Sequence, residues 1–171
     1  MAVRRCESGS EGAVDMRIGT VAAPERGRGR NSPPRTVIFM SDLQNPEVQA
    51  LLSAPNYGVI STHDSDGTIL STVVWVGYTD GELSVNSALG RRWPTNLEND
   101  PRATLVVYNP ENPYSFVEVR ATAQPTTEGA FEHIDALAKK YLNQDKYPFL
   151  QPGEQRVKLV LRPERVRFVK Q

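Results

Sequence analysis

The stretch DGTILSTVVWVGYTDGELSVNSALG, Asp66 to Gly90, is where the alternation of side chains is clearest. From Thr68 to Tyr78, Thr72, Val74, Val76 and Tyr78 fall on one side of an extended chain. Ser71, Val73, Trp75 and Gly77 fall on the other, which is the period of two expected of a β-strand. One of these faces is core; the other could hold a planar ring, although periodicity alone favours core packing for most of these residues. Asp80-Gly81 makes a tight turn, and Glu82 to Ala88 runs back as a second strand. Upstream, Tyr57 to Thr62 is rich in strand-forming residues and reaches Thr68 through the turn Asp64-Ser65-Asp66-Gly67. Three strands on short turns predict an antiparallel meander.

Working outward, Asn45 caps a helix that has Pro46 at its first position and Val48, Leu51 and Leu52 along one side. Beyond Gly90, GRRWPTNLEND reads as a short helix with Pro94 at its start, stopped by Pro101. Ala103 to Tyr108 and Tyr114 to Gln124 follow as strands. Thr127 to Leu142 places Phe131, Ile134, Leu137, Ala138 and Tyr141 on one stripe of an amphipathic helix. Val157 to Leu161 and Val166 to Val169 close the chain as a broken strand. The expected fold is mainly β (α+β): a six-stranded antiparallel split β-barrel with peripheral helices.

The chain has 171 residues, 39% of them hydrophobic and 23% charged, which suits one globular domain with an appendage. No run approaches the ~20 apolar residues that span a membrane. The formal net charge is zero, so neither a nucleic-acid nor a membrane partner is expected. Residues 1–39 carry seven arginines against four acids, with almost no periodic apolar pattern. They are expected to form a disordered N-terminal extension, with residues 40–171 as the folded domain and Met40 as a natural start. One cysteine, Cys6, excludes an intrachain disulfide, and a cytoplasmic setting is expected. The two histidines, His63 and His133, lack metal-ligand spacing and read as surface or packed residues; no metal is expected.

No nucleophile, phosphate loop or acid–base set is evident, so the chemistry of an enzyme built this way comes from a cofactor. The block after Ala88 is the candidate for holding it. A helix N-terminus offers free N–H groups and partial positive charge. Arg91 and Arg92 add charges suited to phosphate oxygens, and Asn86 and Ser87 arrive at the same edge from the preceding strand. The alternative is a solvated turn whose arginines pair with Glu98 and Asp100.

The segment from Gly58 to Val107, anchored by DGTILSTVVW and SALGRRWPTNLENDPR, resembles the pyridoxamine 5′-phosphate oxidase-like split-barrel superfamily, of the FMN-binding split-barrel type. Within it the resemblance is closest to actinobacterial F420-dependent oxidoreductases. It implies a homodimer with the cofactor in clefts between subunits. The phosphate would lie at Arg91, Arg92 and Trp93, with Asn96 nearby. The ring would lie along Thr72, Val73, Val74, Asn86 and Ser87, and the second subunit would contribute Tyr114, Ser115 and Phe116. Relatives often place lysine where this chain has Trp93 and proline where it has Ile69. The basic ending of the vitamin B6 oxidases is not evident.

The resemblance implies hydride transfer between coenzyme F420 and an unsaturated small-molecule substrate. An FMN-dependent oxidase or reductase is the alternative, and a non-catalytic F420- or flavin-binding protein is a third reading. Tyr78, Tyr114 or solvent would supply any proton.

Overall fold

The structure, a computed structural model, describes residues 36–39 and 43–170. Eight strands and three helices follow in the order β1 (Thr36–Phe39), α1 (Pro46–Ser53), β2 (Gly58–His63), β3 (Ile69–Val74), β4 (Val76–Thr79), β5 (Glu82–Ala88), α2 (Arg92–Asn99), β6 (Arg102–Asn109), β7 (Asn112–Thr126), α3 (Ala130–Leu142) and β8 (Arg156–Lys170). Seven strands lie along one antiparallel path, β3-β2-β6-β7-β8-β5-β4, and β1 pairs with β8 off that path. The sheet curls into a half-barrel whose two ends are β3 and β4, so the barrel is split rather than closed.

The strand count departs from the expected six for two reasons, the split at Trp75 and the added β1. The single strand expected over Thr68 to Tyr78 is interrupted at Trp75. Its first half stays paired with β2, while its second half pairs with β5 at the other end of the sheet. The expected meander is therefore two hairpins at opposite edges. Thr36–Phe39, inside the segment expected to be an extension, forms β1 against Arg167–Lys170 of β8; residues 1–35 lie outside the described residues. The broken closing strand is instead the continuous β8, with an irregularity of register opposite Arg120/Ala121.

The barrel core follows the alternation. Ile60, Val76, Leu83, Val85, Leu105 and Val107 point inward with almost no exposure, and Val117, Val119, Leu159 and Leu161 complete the layer. Helix α1 adds Val48, Leu51 and Leu52, and α2 adds Trp93 and Leu97 to the same cluster. Asn45 caps α1 as expected, its side chain accepting from the Glu47 N–H at 2.9 Å.

Helix α3 begins at Ala130, three residues later than expected, and buries Ala130, Ile134, Leu137 and Ala138 outside that cluster. Ser84 and Asn86 of β5 are buried because α3 covers their face, through the Asn86 side chain to the Ala130 carbonyl and Ser84 to His133. Gly77 has no room for a side chain here: a Cβ would come within 2.7 Å of His133 Nε2 and 2.9 Å of Ser84 Oγ.

The backbone at the strand break is satisfied by side chains of α3 rather than by a neighbouring strand. The Val76 N–H donates to Tyr141 Oη (2.9 Å), and the Val76 carbonyl accepts from Lys140 Nζ (2.8 Å). Tyr141 also stacks on Trp75, with ring centroids 5.1 Å apart and planes 4° from parallel. Burial lowers the Lys140 ammonium to about 8. No helix among the described residues is long and apolar enough to cross a membrane.

Candidate functional site

The break at Trp75 opens a cleft between the end of β3, the end of β5 and the segment after α3. It measures about 200 Å³ and brings together Thr72, Val73, Val74, Asn86, Ser87, Arg91 and Trp93 of the residues singled out from sequence. Trp75, Ile134, Tyr147, Phe149 and Arg156 complete the lining. Four larger depressions lie elsewhere among the described residues, and in two of them the principal charges are already paired. Glu47 binds Lys170 in one; Arg102 binds Asp100 and Arg120 binds Glu118 in the other.

The arginine block divides into two roles. Arg92 begins α2, and its guanidinium reaches Asp64 at 2.6 Å, a carboxylate 8% exposed. Arg91 is the N-cap residue, exposed, lining the cleft and forming no ion pair among the described residues. Pro94 therefore sits at the third helical position, not the first, because the helix starts two residues earlier. The pairing with Glu98 and Asp100 in the alternative reading is not observed among the described residues, and Asp100 is engaged by Arg102 at 2.6 Å.

Trp93 is buried and joins the barrel core while also lining the cleft. Asn96 is buried away from the cleft and donates to Thr62 Oγ1 at 3.2 Å. Tyr114, Ser115 and Phe116 lie on β7, apart from this cleft; Tyr114 is 65% exposed, and Phe116 adjoins an apolar patch with Val106, Tyr108 and Pro113. Tyr78 is not in the cleft. Its hydroxyl donates to the Leu43 carbonyl at 2.8 Å.

A buried hydrogen-bond chain runs behind the cleft. Arg156 Nε can only donate, and it does so to Asn86 Oδ1 at 2.9 Å. That fixes the orientation of the amide, so Asn86 Nδ2 donates to the Ala130 carbonyl (2.8 Å) and to His133 Nδ1 (3.1 Å). His133 is therefore neutral, with its proton on Nε2 toward Ser84 Oγ at 3.0 Å. Burial holds its pKa down to about 4, helped by Lys158 and Arg156 and opposed by Glu82.

Arg156 completes the chain through Nη1 to Glu154 Oε1 at 2.6 Å, with its guanidinium 5.2 Å from the Tyr147 ring centre. Asn86 is thus committed to internal partners, although it lines the cleft. Ser87 differs: it is 1% exposed, and its hydroxyl has no hydrogen-bond partner among the described residues.

The rings of Trp75, Tyr147 and Phe149 form one wall. Tyr147 meets Trp75 edge-on at 5.9 Å and Phe149 at 5.7 Å. Asp135 pins this segment by accepting from the Tyr147 N–H (2.9 Å) and Lys146 Nζ (2.7 Å). Trp75 was placed on a strand face from sequence, whereas Tyr147, Phe149 and Arg156 were not singled out. The YPF run within 147–149 is an aromatic cluster in a loop, and that was the only local signal for it. Among the described residues no group of side chains is arranged to hold a metal.

Comparison with known proteins supports the fold. An F420 reductase superposes with a TM-score of 0.61 at 26% identity, covering 69% of this chain and 94% of that one. A conserved hypothetical protein from Mycobacterium tuberculosis (TM-score 0.61, 18% identity, 73% and 84% coverage) shares the fold. So does a heme binding protein from Mycobacterium smegmatis (0.53, 21%, 72% and 52%). No curated protein matches the chain. The family model described as pyridoxamine 5′-phosphate oxidase matches residues 44–170, which include every strand of the split barrel except β1. By that match and by its fold, the chain belongs to the pyridoxamine 5′-phosphate oxidase family.

Proposed function

We propose that the protein is an F420-dependent oxidoreductase that passes a hydride between the deazaflavin coenzyme and an unsaturated small molecule. The observation that carries this reading is a single cleft lined by Ser87, whose buried hydroxyl has no partner among the described residues, and by Arg91 at a helix start, whose guanidinium forms no ion pair among them. A buried hydroxyl without a partner costs about 1–3 kcal/mol, and a ligand that bonds to it removes that penalty. Arg91 and the α2 N-terminus suit a phosphate. The flat strand Thr72 to Val74 and the ring wall of Trp75 and Tyr147 suit a planar ring.

When bound, the coenzyme supplies the hydride chemistry. The chain's own residues bind it, orient it and exclude water. The relative with the same fold that is an F420 reductase supports the deazaflavin.

The active form in this reading is a homodimer. The cleft, at about 200 Å³, is smaller than the ~300–1,000 Å³ of ordinary ligand pockets. Val73 at its edge is 66% exposed, and a second copy offering Tyr114 to Phe116 would close the open side. One observation favours FMN as a second reading. Because Arg92 is tied to Asp64, Arg91 alone of the arginine block has no ion pair among the described residues, which matches a simple phosphate monoester.

The test is a fluorescence titration of the purified protein with F420, FMN and riboflavin, followed by turnover with unsaturated acceptors. Tighter binding of F420 than of FMN is expected. Binding of none of the three would refute a cofactor cleft. Binding without turnover would leave a carrier protein. Arg91→Ala is expected to weaken FMN about tenfold while leaving riboflavin, which lacks the phosphate, unchanged.

Ser87→Ala should produce changes of opposite sign. The ligand-free protein should melt at the same or a higher temperature, a gain of about 1 kcal/mol at most, because an unsatisfied group is removed. Riboflavin binding should weaken several-fold. A loss of stability with unchanged binding would make Ser87 a packing residue.

A further inference from the structure

Arg156 is 3% exposed, yet it lines the cleft. Guanidinium carries five N–H donors. Nε is used by Asn86, and one hydrogen of Nη1 is used by Glu154. The remaining donors have no acceptor among the described residues. Among the described residues the fully enclosed, unpartnered side-chain atoms are Ser87 Oγ and Arg167 Nε, so Nη2 is not one of them, and Arg156 lines the cleft.

The group is held rigidly by Asn86, by Glu154 and by the face of Tyr147. A buried ion pair of this kind adds little stability over a well-packed apolar pair, so folding alone gives weak reason for a charge here. In register, Arg156 lies opposite Ala88, one step from the Ser87–Val157 pair. Its side chain is therefore on the Asn86 face of β5, while Ser87 points to the other. Arg156 thus approaches the cleft from the Asn86 face, apart from Ser87.

We propose that Arg156 is a buried oxygen-binding subsite, distinct from the exposed Arg91 charge. It takes a carbonyl or carboxylate oxygen on the edge of a planar molecule bound in the cleft. This rests on the reading of the cleft as a cofactor site. Glu154 neutralises the unit charge of the pair, so the subsite suits a carbonyl or a single carboxylate, while a phosphate dianion is better served by Arg91. The flat wall of Trp75 and Tyr147 beside it makes a planar ligand the natural fit. The oxygen comes either from the cofactor ring or from the substrate, and the two are separable.

The test uses the full chain and a charge-balanced variant, Arg156→Met with Glu154→Gln, whose folding is checked by thermal melting. If the oxygen belongs to the ring, riboflavin affinity falls about tenfold, the scale of one charge-assisted hydrogen bond. FMN affinity then falls by the same factor. If it belongs to the substrate, riboflavin affinity holds, and KM for 2-cyclohexen-1-one rises about tenfold in the cofactor-loaded protein. Either result supports the subsite. Should the double variant fail to fold, Arg156→Lys carries the test, with a loss of about threefold expected in the same readout. A folded variant with unchanged riboflavin affinity and unchanged KM overturns the subsite and leaves the cofactor reading intact. A wild-type protein that binds none of riboflavin, FMN and F420 overturns both.

Discussion

Replacing Tyr141 by alanine is expected to destabilise the protein by about 3–5 kcal/mol, the range for losing a large packed ring, and to abolish cofactor binding. Tyr141 stacks on Trp75 and meets Tyr57 at 5.3 Å, so its ring joins the strand break to the chain entering β2. Its hydroxyl donates to the Asn56 carbonyl at 2.5 Å and accepts from the Val76 N–H at 2.9 Å. Burial pushes its pKa up to about 12, so the phenol stays neutral and keeps both bonds through the physiological range.

Tyr141→Phe keeps the ring but strands those two backbone groups, and about 1–3 kcal/mol should be lost. Chemical denaturation of the three proteins separates packing from hydrogen bonding. Because Thr72 to Trp75 line the cleft, the phenylalanine variant should also bind riboflavin more weakly. If it is as stable as the wild type, the hydroxyl does not hold the break.

Acid should destabilise the protein through His133. Its folded pKa of about 4 lies below the ordinary 6.5. Below pH 6.5 the unfolded chain takes up a proton that the folded chain refuses, so stability present at neutral pH is lost as pH falls through 6.5 toward 4. The loss by pH 4.5 is on the order of 2 kcal/mol. Lys158 and Arg156 disfavour the charged form, and Glu82 opposes them only in part.

Protonation would also set a donor on Nδ1 against the Asn86 amide nitrogen. The amide that orients Arg156 would be disturbed, and cofactor affinity should fall over the same range. His133→Gln cannot titrate, so the difference in melting temperature between the two proteins should shrink as pH drops from 7 to 4.5. Parallel curves would show that His133 is not the group responsible.

Much of the fold was legible because strands and turns are local. Asp64 to Gly67 and Asp80-Gly81 mark two reversals, and both hairpins form there. Asn45 and Pro46 start α1 where the capping pattern placed them. The arginine block was legible as a helix start but not in its division of labour, since the ion pair of Arg92 needs Asp64, 28 positions earlier. The aromatic wall left only the weak sign of the YPF run at 147–149, and Arg156 left none, because a loop aromatic and a strand arginine are usually surface residues.

By itself, then, the sequence determined the period of two, the turns, the caps and the segment that begins α2. All of these depend on a residue and its near neighbours. Only the tertiary structure decided that the strand over Thr68 to Tyr78 breaks at Trp75, and that β3 and β4 become the two ends of one sheet. It alone brought Arg156 to Asn86, 70 residues away, and Tyr141 to Val76, 65 residues away. The alternation runs unbroken through Trp75, and the break exists because Tyr141 and Lys140 satisfy the backbone of Val76 there. Such long-range satisfaction of buried polar groups leaves no periodic trace in the chain.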